Sequence, residues 1–402
     1  MRALKSESEG KMNIPFLDLK AQFLTIKDEI KNKIDSILES QIFALGPEVE
    51  ALEREIASFC GVKRAIGVSS GTDALLVSLM ALEIKPGDEI ITTPFTFFAT
   101  AGAIARLQAR PVFCDIDPIT YNLDPEKLTV LLEKIKKSKR AAKLKGIIPV
   151  HLYGQCAEMD QIIDLARSHN LFVIEDAAQA IGAEYPSKKG VRKAGSMGIT
   201  GIISFYPTKN LGAYGDGGMV LTNQELLAQK IMKLRVHGEK KRYFYEAIGG
   251  NFRLDALQAG VLRVKLPYLE LWQQKRREVA ARYEILFEQS GLIERKMVSL
   301  PQAVYKKRGL KNYHTYHQFV IRARKRNELQ AFLKEKGVET FIFYPRPLHR
   351  QKCFAYLGYK EGDFPEAERA SREVLALPIY PELKPEQQEY IVDCFKEFFR
   401  KG

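Results

Sequence analysis

Between Arg64 and Thr222, short apolar runs alternate with helical stretches, and the runs are apolar on successive positions rather than on every second one. "RAIGVSS", "DEIITTP", "RPVFCDI", "GIIPVH", "LFVIEDA", "GIISFYP" and "GMVLTN" read as strands. A strand with no polar face must be covered on both sides, as in a parallel sheet sandwiched between helices. The segments in between supply those helices: Thr72 to Leu82, Leu123 to Lys137 and Met159 to His169. Upstream, Val49, Leu52, Ile56 and Phe59 keep helical spacing after Gly46-Pro47, with Gly61 as the stop. The expected fold class is α/β, a mostly parallel seven-stranded sheet with helices on both faces.

Beyond Phe252 the texture changes. A long helix is expected from Leu254 to about Glu288, followed by "TYHQFVIRA", a helix at Arg326 to Lys336, "VETFIFYP" and a terminal helix from Pro385. This reads as a smaller C-terminal α+β domain. The chain of 402 residues then divides into a flexible tail (1–12), a large domain (13–253) and a smaller domain (254–402) joined by the long helix. No apolar run is long enough for a membrane span, and "MRALKSESEGKMN" lacks the apolar core of a secretory signal. The five cysteines form no C-x-x-C pair, so neither a disulfide framework nor a zinc site is expected, and a reducing cytoplasm fits. Cys156, beside "HLYG", reads as a buried small hydrophobe rather than a nucleophile. The net charge of +13 comes from runs such as "KIKKSKRAAKLKG" and "RARKR". No nucleic-acid-binding pattern accompanies them, so they read as solvated faces.

Two residues carry the chemistry. Asp176 in "VIEDAAQA" and Lys209 in "ISFYPTKNLGAYGDGG" each stand just past an expected strand end, where open α/β sheets gather ligands. A carboxylate there could bind metal, act as a base or face a cationic nitrogen; a lysine could hold phosphate, act as a base or form a Schiff base. Metal is disfavoured: the six histidines make no H-E-x-x-H, and His314 and His317 would face opposite sides of a strand. Pyridoxal phosphate uses an acid and an amine together, the acid to keep its ring nitrogen protonated and the lysine to hold its aldehyde. Its phosphate needs helix-start N–H groups and hydroxyls. "SSGTDAL" offers Gly71 and Thr72, and Ser204 adds a hydroxyl shortly before Lys209. Asp216, in "GDGG", reads as part of a tight turn.

From Phe16 to about Leu383 the chain resembles the DegT/DnrJ/EryC1/StrS family of nucleotide-sugar aminotransferases, pyridoxal phosphate enzymes of fold type I, the aspartate aminotransferase-like fold. The resemblance rests on the order of "FLDLKAQF", "SSGTDAL", "PFTFFATAGAI", "IPVHLYGQCAEMD", "EDAAQAIGA", "SFYPTKNLGAYGDGGMV", "RVHG", "GGNFRLDALQAGVL" and "YPRPLHRQ". It implies that residues 13–253 bind the cofactor, with Lys209 as the Schiff-base lysine and Asp176 as partner of the ring nitrogen. Gln179, one helical turn after Asp176, would contact the ring or its phenolic oxygen. Phe97 would stack on the ring, with Phe98 as the fallback, and Gly71, Thr72 and Ser204 would hold the phosphate. Asn251 would reach the same phosphate from a second subunit, making a homodimer with shared sites. Arg253, Tyr344 and His349 would contact substrate.

The resemblance also implies transamination from L-glutamate to a keto group of a nucleotide-linked sugar. It is strongest to enzymes of UDP-linked 2-acetamido-3-oxo sugars, which serve surface polysaccharide or lipopolysaccharide synthesis. Enzymes of dTDP-linked 3- or 4-keto-6-deoxy sugars are the alternative. Relatives that replace the lysine by histidine are dehydratases; here lysine is intact. A catalytically silent regulator or scaffold of the same fold is the non-enzyme alternative, and intact Lys209, Asp176 and Ser204 argue against it.

Overall fold

The structure, a computed structural model, describes residues 12–138 and 140–401. The expected tail therefore lies, apart from Met12, outside the described residues. All seven expected strands form one sheet: β1 (Arg64–Val68), β2 (Glu89–Thr92), β3 (Arg110–Phe113), β4 (Leu144–Ile148), β5 (Phe172–Asp176), β6 (Thr200–Ser204) and β7 (Gly218–Thr222). Their order is β1-β7-β6-β5-β4-β2-β3. β7 runs antiparallel to both neighbours, and the succession from β6 to β3 is parallel.

Unbroken apolar runs are explained by burial on both faces. Ile90, Ile148, Ile174, Ile202 and Val220 pack on one side with Leu75 and Leu79 of the helix Gly71–Ala81. Their chain neighbours Ile91, Ile147, Val173, Ile203 and Leu221 pack on the other side with residues of the helices Pro47–Cys60, Pro125–Lys136 and Met159–Ser168. Successive side chains on a strand point oppositely, so each apolar pair feeds two cores at once.

The C-terminal part differs from the sequence reading in three respects. The long helix is two helices, Ala256–Lys265 and Leu269–Gln289, separated by a tight turn at Leu266–Tyr268. Pro267 lies in that turn, and a proline inside a helix removes a hydrogen bond and clashes with the preceding turn. The segment "VETFIFYP" is not a strand; it is irregular apart from two isolated bridges, Val338 to Ile14 and Phe341 to Ala376. The strand pairing centrally with Phe319–Ala323 is instead Val374–Leu377, with Val298–Ser299 on the other edge.

The division at residue 253 is not that of the packing either. Ala259 and Leu262 are buried in the core under the large sheet. Ile14 is buried in the second core beside Tyr283, Phe287 and Phe319, and its N–H donates to the Gly337 carbonyl at 2.9 Å. Apolar surface is satisfied by whichever core it reaches, so the start of the large unit and the start of the smaller one each cross over. Among the described residues no helix is long and apolar enough to cross a membrane.

Candidate active site

β5 and β6 are parallel neighbours, so side chains leaving their carboxyl ends converge. Asp176 ends β5, Lys209 follows the turn after β6, and both line one cavity of about 620 Å³. Asp176 Oδ2 accepts a hydrogen bond from Thr100 Oγ1 at 2.8 Å, and Oδ1 accepts one from the Ala178 N–H at 3.2 Å. Burial pushes this carboxyl up; the two hydrogen bonds and the nearby Lys209 and His151 oppose that push. Burial draws the Lys209 ammonium down from 10.5 to about 8, against the pull of Asp176. Such an amine can hold or release a proton near neutral pH.

Behind Asp176 the support is rigid. The ring of His151 accepts from the Ala157 N–H at Nδ1 (3.1 Å), so Nε2 carries the proton and donates to Glu175 Oε2 at 2.9 Å. Glu175 also accepts the backbone N–H groups of Gly195, Met197 and Gly198, so a fully buried carboxyl group has its oxygens hydrogen-bonded without a lysine or arginine.

Opposite the acid, the helix Gly71–Ala81 begins at the cavity wall. The Asp73 N–H donates to Ser70 Oγ at 3.0 Å, capping the helix. A Cβ at Gly71 would stand 2.8 Å from Ser204 Cβ, so glycine is what lets the helix start lie against the Ser204 hydroxyl. Thr72 lines the same wall. Helix-start N–H groups flanked by hydroxyls form a phosphate cradle. With a buried carboxylate and an accessible lysine across the cavity, these residues fit pyridoxal phosphate.

Gln179 and Tyr344 also line the cavity. Gln179 Oε1 accepts the Tyr153 N–H at 2.8 Å, and its Nε2 donates to the Tyr344 hydroxyl at 3.1 Å. The segment around Gln179 is a turn, not the helical turn expected from the sequence; Ala180 N–H closes it onto the Ala177 carbonyl. Phe97 lines the cavity at its mouth, whereas Phe98 turns away to Phe354, with ring centroids 5.6 Å apart. Asn251 is exposed and Arg253 half-buried, and neither lines the cavity of its own chain. Asp216 does line it, although the sequence reading made it purely a turn residue.

His349 departs from its expected role. It is 2% exposed, with Nε2 at 3.0 Å from Glu368 Oε1 and its ring against Phe364, and it does not line the cavity. Its position is a packing site between the 3-10 turn Leu348–Arg350 and the helix Pro365–Glu373. Cys156 is buried and its thiol is pushed far up by burial, which removes it as a nucleophile.

Three residues were missed. Thr100 holds Asp176, and nothing in "FFAT" marks it because the contact spans 76 positions. Arg276 lines the cavity while its Nη1 donates to the carbonyls of Tyr316 (3.1 Å) and Ile379 (2.8 Å). His317 lines it as well, and the residues before Phe319 are not strand, so the argument that His314 and His317 face opposite ways fails. The Asn210 amide donates to the Thr315 carbonyl at 3.0 Å, so its Oδ1 accepts from His317 Nδ1 at 3.1 Å. Burial drives the His317 imidazolium far down, leaving a neutral ring whose Nε2 is an acceptor. Among the described residues no three His, Cys, Asp or Glu side chains are grouped to hold a metal ion.

The chain matches the model of the DegT/DnrJ/EryC1/StrS aminotransferase family over residues 24–396. It is 50% identical to the pleiotropic regulatory protein of Geobacillus stearothermophilus, across 97% of this chain and 99% of that one. It is 41% identical to the UDP-N-acetyl-3-dehydro-alpha-D-glucosamine 3-aminotransferase of Acidithiobacillus ferrooxidans, across 93% and 95%. The crystal structure of S. venezuelae DesV, in complex with a ketimine intermediate, superimposes with a TM-score of 0.86 at 37% identity, covering 96% of this chain and 98% of that one. The chain therefore belongs to the DegT/DnrJ/EryC1/StrS aminotransferase family, as a pyridoxal phosphate-dependent aminotransferase of nucleotide-linked sugars.

Proposed function

We propose that this enzyme moves the amino group of L-glutamate to the C3 ketone of a UDP-linked 2-acetamido-3-oxo sugar in the cytoplasm, supplying surface polysaccharide or lipopolysaccharide synthesis. The observation that carries the chemistry is the convergence of Lys209 and Asp176 on one cavity. The name of the Acidithiobacillus relative supports the choice of sugar. Five free cysteines fit a reducing compartment.

Pyridoxal phosphate, when bound, supplies an aldehyde that takes up amines and a ring that withdraws electrons from the carbon being deprotonated. Asp176, when ionised, would face the ring nitrogen and keep it protonated; Thr100 and Ala178 hold the carboxylate oriented for this. Gly71, Thr72 and Ser204 would hold the phosphate, Phe97 would cover the ring, and Gln179 with Tyr344 would meet the ring's edge. Lys209 holds the aldehyde at rest. Its amine, once freed, would take the proton from the α-carbon of glutamate. In the second half-reaction the same amine, protonated, would give a proton to C3 of the sugar. An amine drawn to about 8 is neutral often enough at cellular pH to do this.

The active assembly is a homodimer in which Asn251 of one chain reaches the phosphate in the other. Asn251 is exposed and follows a hairpin, Glu239–Lys241 with Phe244–Tyr245, bearing the exposed rings of Tyr243 and Phe244 and an Ile248 that is 92% exposed. Arg253, two residues on, would meet the substrate diphosphate of the partner site.

The test is the visible absorption spectrum before and after L-glutamate, followed by addition of keto sugars one at a time. Bleaching by glutamate and recovery with the UDP-linked 3-oxo sugar support the proposal. Recovery only with dTDP-linked 3- or 4-keto sugars would overturn the choice of substrate, and a spectrum indifferent to glutamate would overturn the donor. Mixing inactive Lys209→Ala and Asn251→Ala chains tests the shared site. One intact site per mixed dimer should restore part of the activity, and no recovery would place Asn251 outside it.

A further inference from the structure

Beside the smaller core lies an open cleft of about 790 Å³ that shares no lining residue with the catalytic cavity. Its lining carries seven basic side chains, Lys296, Arg322, Arg324, Lys325, Arg326, Arg369 and Arg372, against two acids, Glu328 and Glu373, so 7 − 2 leaves a local excess of +5. The floor is built rather than incidental. Arg322 donates to the Tyr121 hydroxyl (2.9 Å), the Pro118 carbonyl (3.0 Å) and Glu373 (3.2 Å), tying the loop after β3 to the small sheet. Arg326 is 8% exposed, and its guanidinium donates to the carbonyls of Val374 (2.6 Å) and Ser371 (3.0 Å) but pairs with no carboxylate among the described residues.

A buried cation without a counter-charge is costly, and burial accordingly lowers the Arg326 pKa. The rim adds to that field instead of offsetting it. Arg369 is engaged by Glu366 at 2.7 Å, but Lys296, Arg324, Lys325 and Arg372 are exposed and have no acidic partner among the described residues. Charges of one sign focused in a cleft raise the local concentration of the opposite ion. The volume lies in the range of small-molecule sites.

We infer that this cleft, between the Pro118–Ile119 loop, the Val298–Ser299 edge and the helix Arg326–Glu335, binds a small anion carrying a chain of two or three phosphates. Arg326 and Arg322 supply the fixed positive floor, and Lys296, Arg324, Lys325 and Arg372 close on the phosphates from the rim. The site is separate from the catalytic cavity and does not depend on the substrate proposed above.

Inorganic tripolyphosphate is the probe, titrated calorimetrically into the cofactor-loaded enzyme near physiological salt, with saturating glutamate present. One site per chain is expected. The double variants Arg324→Glu/Lys325→Glu and Lys296→Glu/Arg372→Glu should each weaken it by about a hundredfold, roughly tenfold per reversed charge, with unchanged kcat. Lys188→Glu, an exposed reversal elsewhere, should bind as the wild type does. Three results would overturn the inference: no binding; binding indifferent to both double variants; or binding abolished by the nucleotide sugar, which would put the probe in the catalytic cavity. A single-stranded oligonucleotide that binds more tightly than tripolyphosphate, with a footprint beyond one site, would also overturn it in favour of a nucleic-acid surface.

Discussion

Thr100 Oγ1 donates to Asp176 Oδ2 at 2.8 Å, joining the helix Ala99–Arg106 to the end of β5. That hydrogen bond stabilises the ionised carboxylate in a site whose burial favours the neutral acid. Thr100→Val keeps the shape and removes the donor. The Asp176 carboxyl should rise, and kcat should fall about tenfold. Asp176→Asn, which cannot ionise, should fall a hundredfold or more on the usual scale of a lost charged contact. A Thr100→Val enzyme with wild-type kcat and an unchanged absorption spectrum would show that the hydrogen bond is structural only.

Lys209→Ala should lose turnover by at least about a thousandfold, because no other amine lines the cavity among the described residues. Among the described residues the side chain makes no hydrogen bond, so the thermal midpoint should hold within a few degrees. Steady-state rates and calorimetry on the same preparation separate the two effects.

Gly71→Ala tests the phosphate cradle. The added methyl meets Ser204 Cβ at 2.8 Å, and the backbone of a helix start cannot yield without moving its N–H groups. Cofactor affinity should drop about tenfold or more. Equilibrium dialysis of the apoprotein reads this directly; an affinity equal to wild type would place the phosphate elsewhere.

Lys265 gives a pH dependence of stability. It is 1% exposed, its Nζ donates to the Gly212 carbonyl at 2.7 Å and lies 4.2 Å from the Tyr214 ring centroid, and burial draws it from 10.5 to about 8. The folded-state pKa is below the unfolded one, so between about 8 and 10.5 the unfolded chain binds the extra proton. Stability from this group therefore rises with pH across that window, by about 3 kcal/mol at most. Lys265→Met removes the term. Urea midpoints for wild type and variant should diverge in favour of wild type from pH 8 upward; parallel curves would refute the assignment.

His349→Ala should cost about 1–3 kcal/mol of stability by removing one of the donors to the buried Glu368 carboxylate, which among the described residues keeps only the Gly362 N–H, with KM for both substrates unchanged. A raised sugar KM at full stability would restore the substrate role expected from the sequence.

What was legible in the sequence is what local pattern determines. Ile90-Ile91 and Ile202-Ile203 announce strands buried on two faces, Gly46-Pro47 and Gly61 bracket a helix, and "SSGTDAL" carries its own cap and close-approach glycine. Lys209 and Asp176 were legible because strand ends are where such sheets place ligands. Pro267 was legible too and was overlooked. Tertiary structure alone decided the rest. Thr100 with Asp176, Gln179 with Tyr344, Asn210 with His317 and the burial of Ile14 in the C-terminal core join residues distant along the chain. His349, in the 3-10 turn Leu348–Arg350, and Tyr344, five positions earlier in the irregular stretch before it, part ways for the same reason: one turns into a packed interface and the other into the cavity. Periodicity governs which face of an element is apolar, but an irregular segment has no periodicity, and its side chains go where the folded surroundings offer space and partners.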